Sequence, residues 1–452
     1  MKLCVLLIGG GALALALFLP ARSSHPARAR AAGQTSRARA PKPSKAADAN
    51  DRRVIPEPAL PALPRAGGTF RDPVFGTEVM RVTDERDGKL NGTFYPHWPT
   101  LNADSTRLLV KRHETGDAVY SFDPVNFKLG ASRVIPRLPD NGVLITEGAM
   151  WSPVDPDTLY GPTFNGPYLW ALDVSNNSYK LVKDFRRARG FSPKDYLWQM
   201  SMSADGDTFA FTHKNGSYKT IGYGVYRRSN DTVLLLESSA DVDEVRLDKS
   251  GRYLIAYLAR PDARGKDLYV HDLSKRTAVG LGPSAPDFSL SHGDVGSGFL
   301  LGWDNDENRF LRRELSDPRP FVNVLGMGAD WLNQHVSLLA RDERWALLSF
   351  YSYRGAGGTG PGLFHDELVL VRTDGSGRFR RLLQHRSKAQ DYWETPRANL
   401  SYDGRFVAFS SNWGGSKRVD LFIARLDPPL AQDAPTQPVT PARQRPRRTS
   451  SN

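Results

Sequence analysis

The chain has 452 residues, 40% of them hydrophobic, with 61 Lys+Arg against 49 Asp+Glu. That is enough apolar material for two or three average domains or one large all-β domain, and 40 Gly and 32 Pro require many turns. The lone cysteine, Cys4, sits in the N-terminal apolar run, which excludes an internal disulfide, a cysteine metal site and a thiol nucleophile in the mature chain.

Residues 1–20, "MKLCVLLIGGGALALALFLP", place a lysine ahead of an apolar stretch closed by a proline, the layout of a secretory signal peptide. Small-residue cleavage options follow in "ARARAA", so residues 1–31 are read as a signal peptide. The stretch is also nearly long enough to remain as an uncleaved anchor. No cysteine follows it, which argues against a lipoprotein. Either reading places the remainder in the periplasm or the medium.

The net charge of +12 is concentrated at the two ends. Residues 1–66 carry eleven Lys+Arg against three Asp+Glu, residues 428–452 carry four against one, and the middle is nearly balanced. Segments 32–66 and 429–452 are Pro-, Ala- and Arg-rich, a composition expected to remain disordered. They read as solvated spacers or as adhesive tails for an anionic wall or membrane surface. A balanced core and an export signature exclude a nucleic-acid partner.

Between the tails one unit recurs: an alternating strand, an Asp-Gly type turn and a second apolar strand. It appears as "HWPTLNADSTRLLV", "AMWSPVDPDTLYG", "QMSMSADGDTFAFT", "EVRLDKSGRYLIAYL", "SHGDVGSGFLLGW", "HVSLLARDERWALLSF" and "RANLSYDGRFVAFSS". Its turn landmarks, Asp104, Asp155, Asp205, Ser250, Gly296, Asp342 and Asp403, recur every 45–61 residues. A third alternating strand follows each copy, for example "DLYVHDLSK" and "DLFIARLD", and a fourth follows most, for example "TVLLLE" and "FRRLLQ". Four strands per repeat at this period is a β-propeller signature, and seven copies predict seven blades over residues 67–428. The last copy lacks its fourth strand, and "FGTEVMRVTD" (75–84) is a spare strand at the front. The spare strand is expected to complete the last blade and close the ring, removing two open sheet edges.

The repeats "SMSADGDTFAFT", "NLSYDGRFVAFSSN" and "LVRTDGSGRFRRLL" resemble the WD40-like, TolB-type repeats of secreted bacterial propellers, over roughly residues 70–427. More distantly, seven such blades with histidines at inner-strand starts resemble the oligogalacturonate lyases. That resemblance implies a divalent metal held by several histidines and a glutamine, with a separate catalytic histidine. In "NQHVS", Gln334 and His335 match, while Ser337 stands where a second histidine would alternate.

Inner strands begin at one face of a propeller, so residues there converge on the mouth of the central channel. Read from the repeats, these are His97 and Trp98, Glu147, Trp198 and Gln199, Glu244, His292 and Asp294, Gln334 and His335, and Glu394 and Arg397. Arg suits a carboxylate, Trp a stacked ring and amides suit hydroxyls, so His97, Trp98, Gln199, Glu244 and Arg397 are candidate ligand-binding residues. His292 and His335 are candidate catalytic residues. With Asp294 and Gln334 they are also the candidate ligands of Mn²⁺ or Zn²⁺. The bland reading stands beside each: channel mouths are polar because they face water. "DYWETPR" (391–397) is expected to form a lip over the mouth, and "GAGGTGPG" (355–362) a hairpin tip. No P-loop, nucleophile elbow or calcium loop is present. The sequence thus leads to an exported, monomeric propeller binding a cell-envelope glycan, a peptide or a protein at its channel mouth. The alternative is a metal-assisted polysaccharide lyase.

Overall fold

The computed structural model describes residues 51–282, 288–354 and 362–430, with the side chains of 288–291 left aside. The expected signal peptide, most of the basic linker, nearly all of the C-terminal tail and the 355–361 hairpin tip lie outside the described residues. Seven antiparallel sheets follow one another along the chain, each with four consecutive strands except the last, which has five. Blade 4 shows the plan: Val242–Leu247 innermost, then Tyr253–Leu258, Leu268–Asp272 and Thr277–Leu281. Central strands such as Tyr253–Leu258 and Trp345–Tyr351 are apolar almost throughout, because both their faces pack against neighbouring blades. Among the described residues no helix is long and apolar enough to cross a membrane.

The repeated Ser-x-Asp-Gly has a local cause. In blade 7 the Ser401 hydroxyl donates to Asp403 Oδ1 at 2.6 Å and accepts the Phe406 amide at 3.0 Å. Asp403 Oδ1 accepts the Arg405 amide at 3.1 Å, and Gly404 takes φ +65°, a conformation that favours glycine. Blade 3 repeats this, with Ser203 accepting Thr208 N at 2.9 Å and Gly206 at φ +69°. In these two blades the unit is a self-satisfied hairpin joining the inner strand to the second.

The seam forms as the spare strand implied. Glu78–Arg81 pairs with Asp420–Arg425, in register Val79 to Ala424 and Arg81 to Phe422. A further short strand, Thr69–Arg71, adds outside it. Arg81 Nη2 lies 2.7 Å from Asp420 Oδ2 with both side chains buried, and Thr83 Oγ1 donates to Asp420 Oδ1 at 3.0 Å.

Two features depart from the repeat pattern. Inner strands of blades 1, 2 and 7 are cut to the pairs Asn91–Gly92, Met150–Trp151 and Asn399–Leu400. Prolines 96, 99, 153 and 396 near these pairs cannot donate to a ladder. Residues 51–66, read as part of a spacer, carry neither helix nor strand but run along the outer strands of blades 5 to 7. Arg52 Nη1 donates to Gly326 O at 3.1 Å, Arg381 Nη1 to Arg53 O at 2.7 Å, Trp413 Nε1 to Pro61 O at 3.2 Å and Arg81 Nη1 to Pro64 O at 2.8 Å. An extended Pro-rich chain has no internal hydrogen bonds, so its carbonyls are open to side chains of the blades.

At the turn end of the ring, Arg341 Nη2 reaches Pro153 O at 2.8 Å, and Tyr402 Oη reaches Trp151 O at 3.0 Å. These bonds cross the ring at the end opposite the mouth where the inner strands start.

Candidate functional site

The site is built by the inner strands of blades 4, 5 and 6 and by the irregular segment of blade 1. On the inner strand of blade 4, Glu244 and Arg246 are two residues apart and share one face. Arg246 is 1% exposed. Its Nη2 donates to Glu244 Oε1 at 2.8 Å, while Nε and Nη1 have no hydrogen-bond partner. The guanidinium carbon lies 5.9 Å from the ring centres of Tyr95 and Tyr257. Tyr257 belongs to the next strand, paired with Glu244, and its buried hydroxyl has no partner either.

Tyr95 joins this group to the histidines. Its ring centre is 4.8 Å from that of His97 and 5.1 Å from that of His335. His335 stacks on Tyr351 at 5.1 Å and lies 4.6 Å from His292. His292 Nδ1 is 3.3 Å from Gln334 Oε1. The Nδ1 atoms of His97 and His335 are buried without partners. Burial holds both imidazoles well below their ordinary pKa, and the charge of Arg246 adds to it in each case. They are neutral at neutral pH. Burial also pushes Glu244 up to about 7, against the opposing pull of Arg246. Half-buried Tyr95 and His292 are the members of this group open to solvent.

The other candidates fall elsewhere. Trp98 donates its Nε1 to Met200 O at 2.9 Å and packs in the core, tying blade 1 to blade 3. Gln199 sits on an inner-strand bulge at φ +47° and accepts Thr212 Oγ1 at 3.4 Å. Arg397 is buried and spends its donors on carbonyls: Nη2 on Trp393 at 2.8 Å and Nη1 on Phe94 at 3.3 Å. It clamps the expected lip, a one-turn 3₁₀ helix Tyr392–Glu394 capped by Asp391, against blade 1. Trp393 covers the Lys111 ammonium at 4.9 Å.

The four candidate metal ligands do not assemble. Asp294 accepts Val295 N at 2.8 Å with one oxygen and Leu338 N at 2.6 Å with the other, linking blades 5 and 6. The Ser337 hydroxyl accepts Leu400 N at 3.3 Å. His292, His335 and Gln334 remain, two imidazoles and an amide. Among the described residues no three or more His, Cys, Asp or Glu side chains form a metal-binding group. The charges of Arg246 and Arg397 both act on His335, and each repels a cation. The donors present do not fit a divalent metal centre.

Strand reading missed Arg246, Tyr95, Tyr257 and Tyr351. Arg246 was accessible by period-2 alternation from Glu244. Tyr257 and Tyr351 lie on second strands, whose register with the inner strands decides their place.

No protein family description matches the sequence, and no curated relative does. Solved structures match the fold. A manganese complex of an oligogalacturonate lyase superposes with TM-score 0.59 at 13% identity, over 80% of this chain and 97% of that one. An oligogalacturonate lyase from Vibrio parahaemolyticus gives 0.59 at 11% identity, over 81% and 97%. At these identities the likeness establishes the architecture: this chain is a seven-bladed β-propeller of the shape those lyases share.

Proposed function

We propose that the protein is an extracytoplasmic binding propeller whose channel mouth takes a carboxylate-bearing sugar of an envelope glycan. The observation that carries this is Arg246, fully buried with Nε and Nη1 unclaimed. A buried donor without an acceptor is destabilising by about 1–3 kcal/mol, more when charged, and native folds rarely leave one unexplained. A carboxylate satisfies a guanidinium in both charge and shape. Around it, Tyr257 Oη and the neutral His97 and His335 offer hydrogen bonds to sugar hydroxyls, and Tyr95 offers a ring.

A second reading, β-elimination, is favoured by two neutral imidazoles, His292 and His335, beside that guanidinium. With the carboxylate neutralised by Arg246, an imidazole takes the adjacent carbon-bound proton and the electrons expel the glycosidic oxygen. Glu244, protonated below about 7, is placed near Arg246 to return a proton to the leaving group. Titration with uronate oligosaccharides tests both readings. Binding without an unsaturated product supports the binding propeller, appearance of that product supports elimination, and failure to bind any acidic glycan overturns both.

A further inference from the structure

A second cluster lies on the mouth face between blades 2 and 3, outside the arginine–histidine group. Phe164 occupies the turn from Thr158–Thr163 to Gly166–Asp173 and is 53% exposed. Tyr218 occupies the next blade's corresponding turn and is 45% exposed. Both contact Trp198, at 5.9 and 5.6 Å between ring centres, and both contact Tyr196, at 5.4 and 6.1 Å. Trp198 and Tyr196 are buried beneath them on the inner strand of blade 3, and the Tyr196 hydroxyl has no hydrogen-bond partner. Tyr218 holds φ +64°, uncommon for a large side chain, with Asn215 Oδ1 accepting the amides of Ser217 and Lys219 to fix the turn. A turn free of other demands would carry Asn or Gly there.

We infer that Phe164, Tyr218 and Trp198 form a second subsite that stacks a pyranose ring of the same glycan, with the Tyr196 hydroxyl as its polar contact. The inference rests on the glycan reading of the mouth but uses none of its residues. Two adjacent exposed rings present apolar faces to the C–H face of a sugar, and the surrounding groups are polar. Lys214 Nζ lies 4.4 Å from the Tyr218 ring, and Gln199 follows Trp198 in sequence. That mixture suits a sugar, which is apolar on its faces and hydroxylated at its edges, better than a protein partner, which needs a broader apolar area. Glu147 lies 4.0 Å from Lys111 on blade 1, and its charge acts on both Tyr218 and Arg397.

The test uses carboxyl-reduced oligogalacturonides, neutral chains that make no demand on Arg246, followed by tryptophan fluorescence and calorimetry. Long neutral chains should bind the wild type more tightly than short ones. Phe164→Ala and Tyr218→Asn, the latter keeping a residue that tolerates positive φ, should each remove roughly tenfold of that gain, about 1.4 kcal/mol. Both are surface changes, and an unchanged melting temperature confirms folding. Tyr196→Phe should lose a smaller part. A length gain that survives both tip substitutions, or no binding of any neutral chain, overturns the subsite. Equal binding of acidic and reduced chains, lost in the tip variants, supports the subsite and overturns the carboxylate reading instead.

Discussion

Two buried arginines occupy comparable places on inner and outer strands and are treated in opposite ways. Arg81, at the ring seam, gives Nε and Nη2 to Asp420, Nη1 to the Pro64 carbonyl and a further contact to Glu85. Arg246, at the channel mouth, has Glu244 for Nη2 and nothing for Nε or Nη1. What sets Arg246 apart is its company: the Nδ1 atoms of His97 and His335 and the Tyr257 hydroxyl, buried in the same group, also have no partner. Arg397 sharpens the contrast: it also borders the mouth, but its donors are spent on backbone carbonyls, which makes it a clamp.

The largest effect should come from the seam. Deleting residues 67–84 removes the strand paired with Asp420–Arg425 and reopens two sheet edges, so cooperative thermal unfolding should be lost. Arg81→Ala removes the buried partner of Asp420 but leaves Arg418 Nη2 on it at 2.7 Å, so it should lower stability by about 1.5–3 kcal/mol in urea unfolding. If Arg81→Ala melts like the wild type, closure does not depend on this pair.

Arg246 should behave in the reverse way. Removing Arg246 takes the partner from Glu244, but Glu244, already raised to about 7 by burial, takes up a proton in place of a buried charge. Arg246→Met should therefore cost little stability at or below neutral pH while losing roughly 100-fold in affinity for an acidic oligosaccharide, about 2.7 kcal/mol. A destabilised variant with unchanged affinity would make Arg246 a structural residue like Arg81.

Removing residues 51–64 should have a moderate effect. The strap's hydrogen bonds each contribute about 0.5–1.5 kcal/mol net, and a domain this large loses roughly 2 °C per kcal/mol. Differential scanning calorimetry should show a melting temperature lower by several degrees with ring cooperativity intact. No change would mean that the strap only rests on the blades.

The smallest effect is pH dependence at Glu244. Its folded pKa, about 7, is above the ordinary 4.5. The protonated form is therefore favoured by folding, and that stability is complete below 4.5 and lost as pH rises through 7. Glu244→Gln should gain on the wild type between those limits and run parallel to it above. A difference that does not vary with pH would show Glu244 ionised throughout.

What the sequence disclosed and withheld follows from the range of the forces involved. The blades, their fourth strands and the closing strand were legible because alternation and Ser-x-Asp-Gly turns are local, with each turn satisfying its own hydrogen bonds. His97, Glu244, His292, Gln334 and His335 were legible as mouth residues because inner strands start there. Tyr257 was not, since only its pairing with Glu244 brings it beside Arg246. Nor was the role of Asp294, whose oxygens serve amides on two blades. Residues 51–66 read as a spacer because most of what holds them lies far away in the chain, Arg381 being 328 residues from Arg53 and Trp413 352 from Pro61. The pairing of Phe164 with Tyr218 depends on two turns meeting over Trp198, which neither hairpin encodes alone.

The most direct test of the account is a calorimetric comparison of one uronate oligosaccharide with its carboxyl-reduced counterpart, each titrated into the wild-type protein with chelator and again with excess Mn²⁺. The acidic chain should bind roughly 100-fold more tightly than the reduced one, by the same margin in both buffers. Equal affinity for the two chains, or binding of the acidic chain only when Mn²⁺ is supplied, would contradict it.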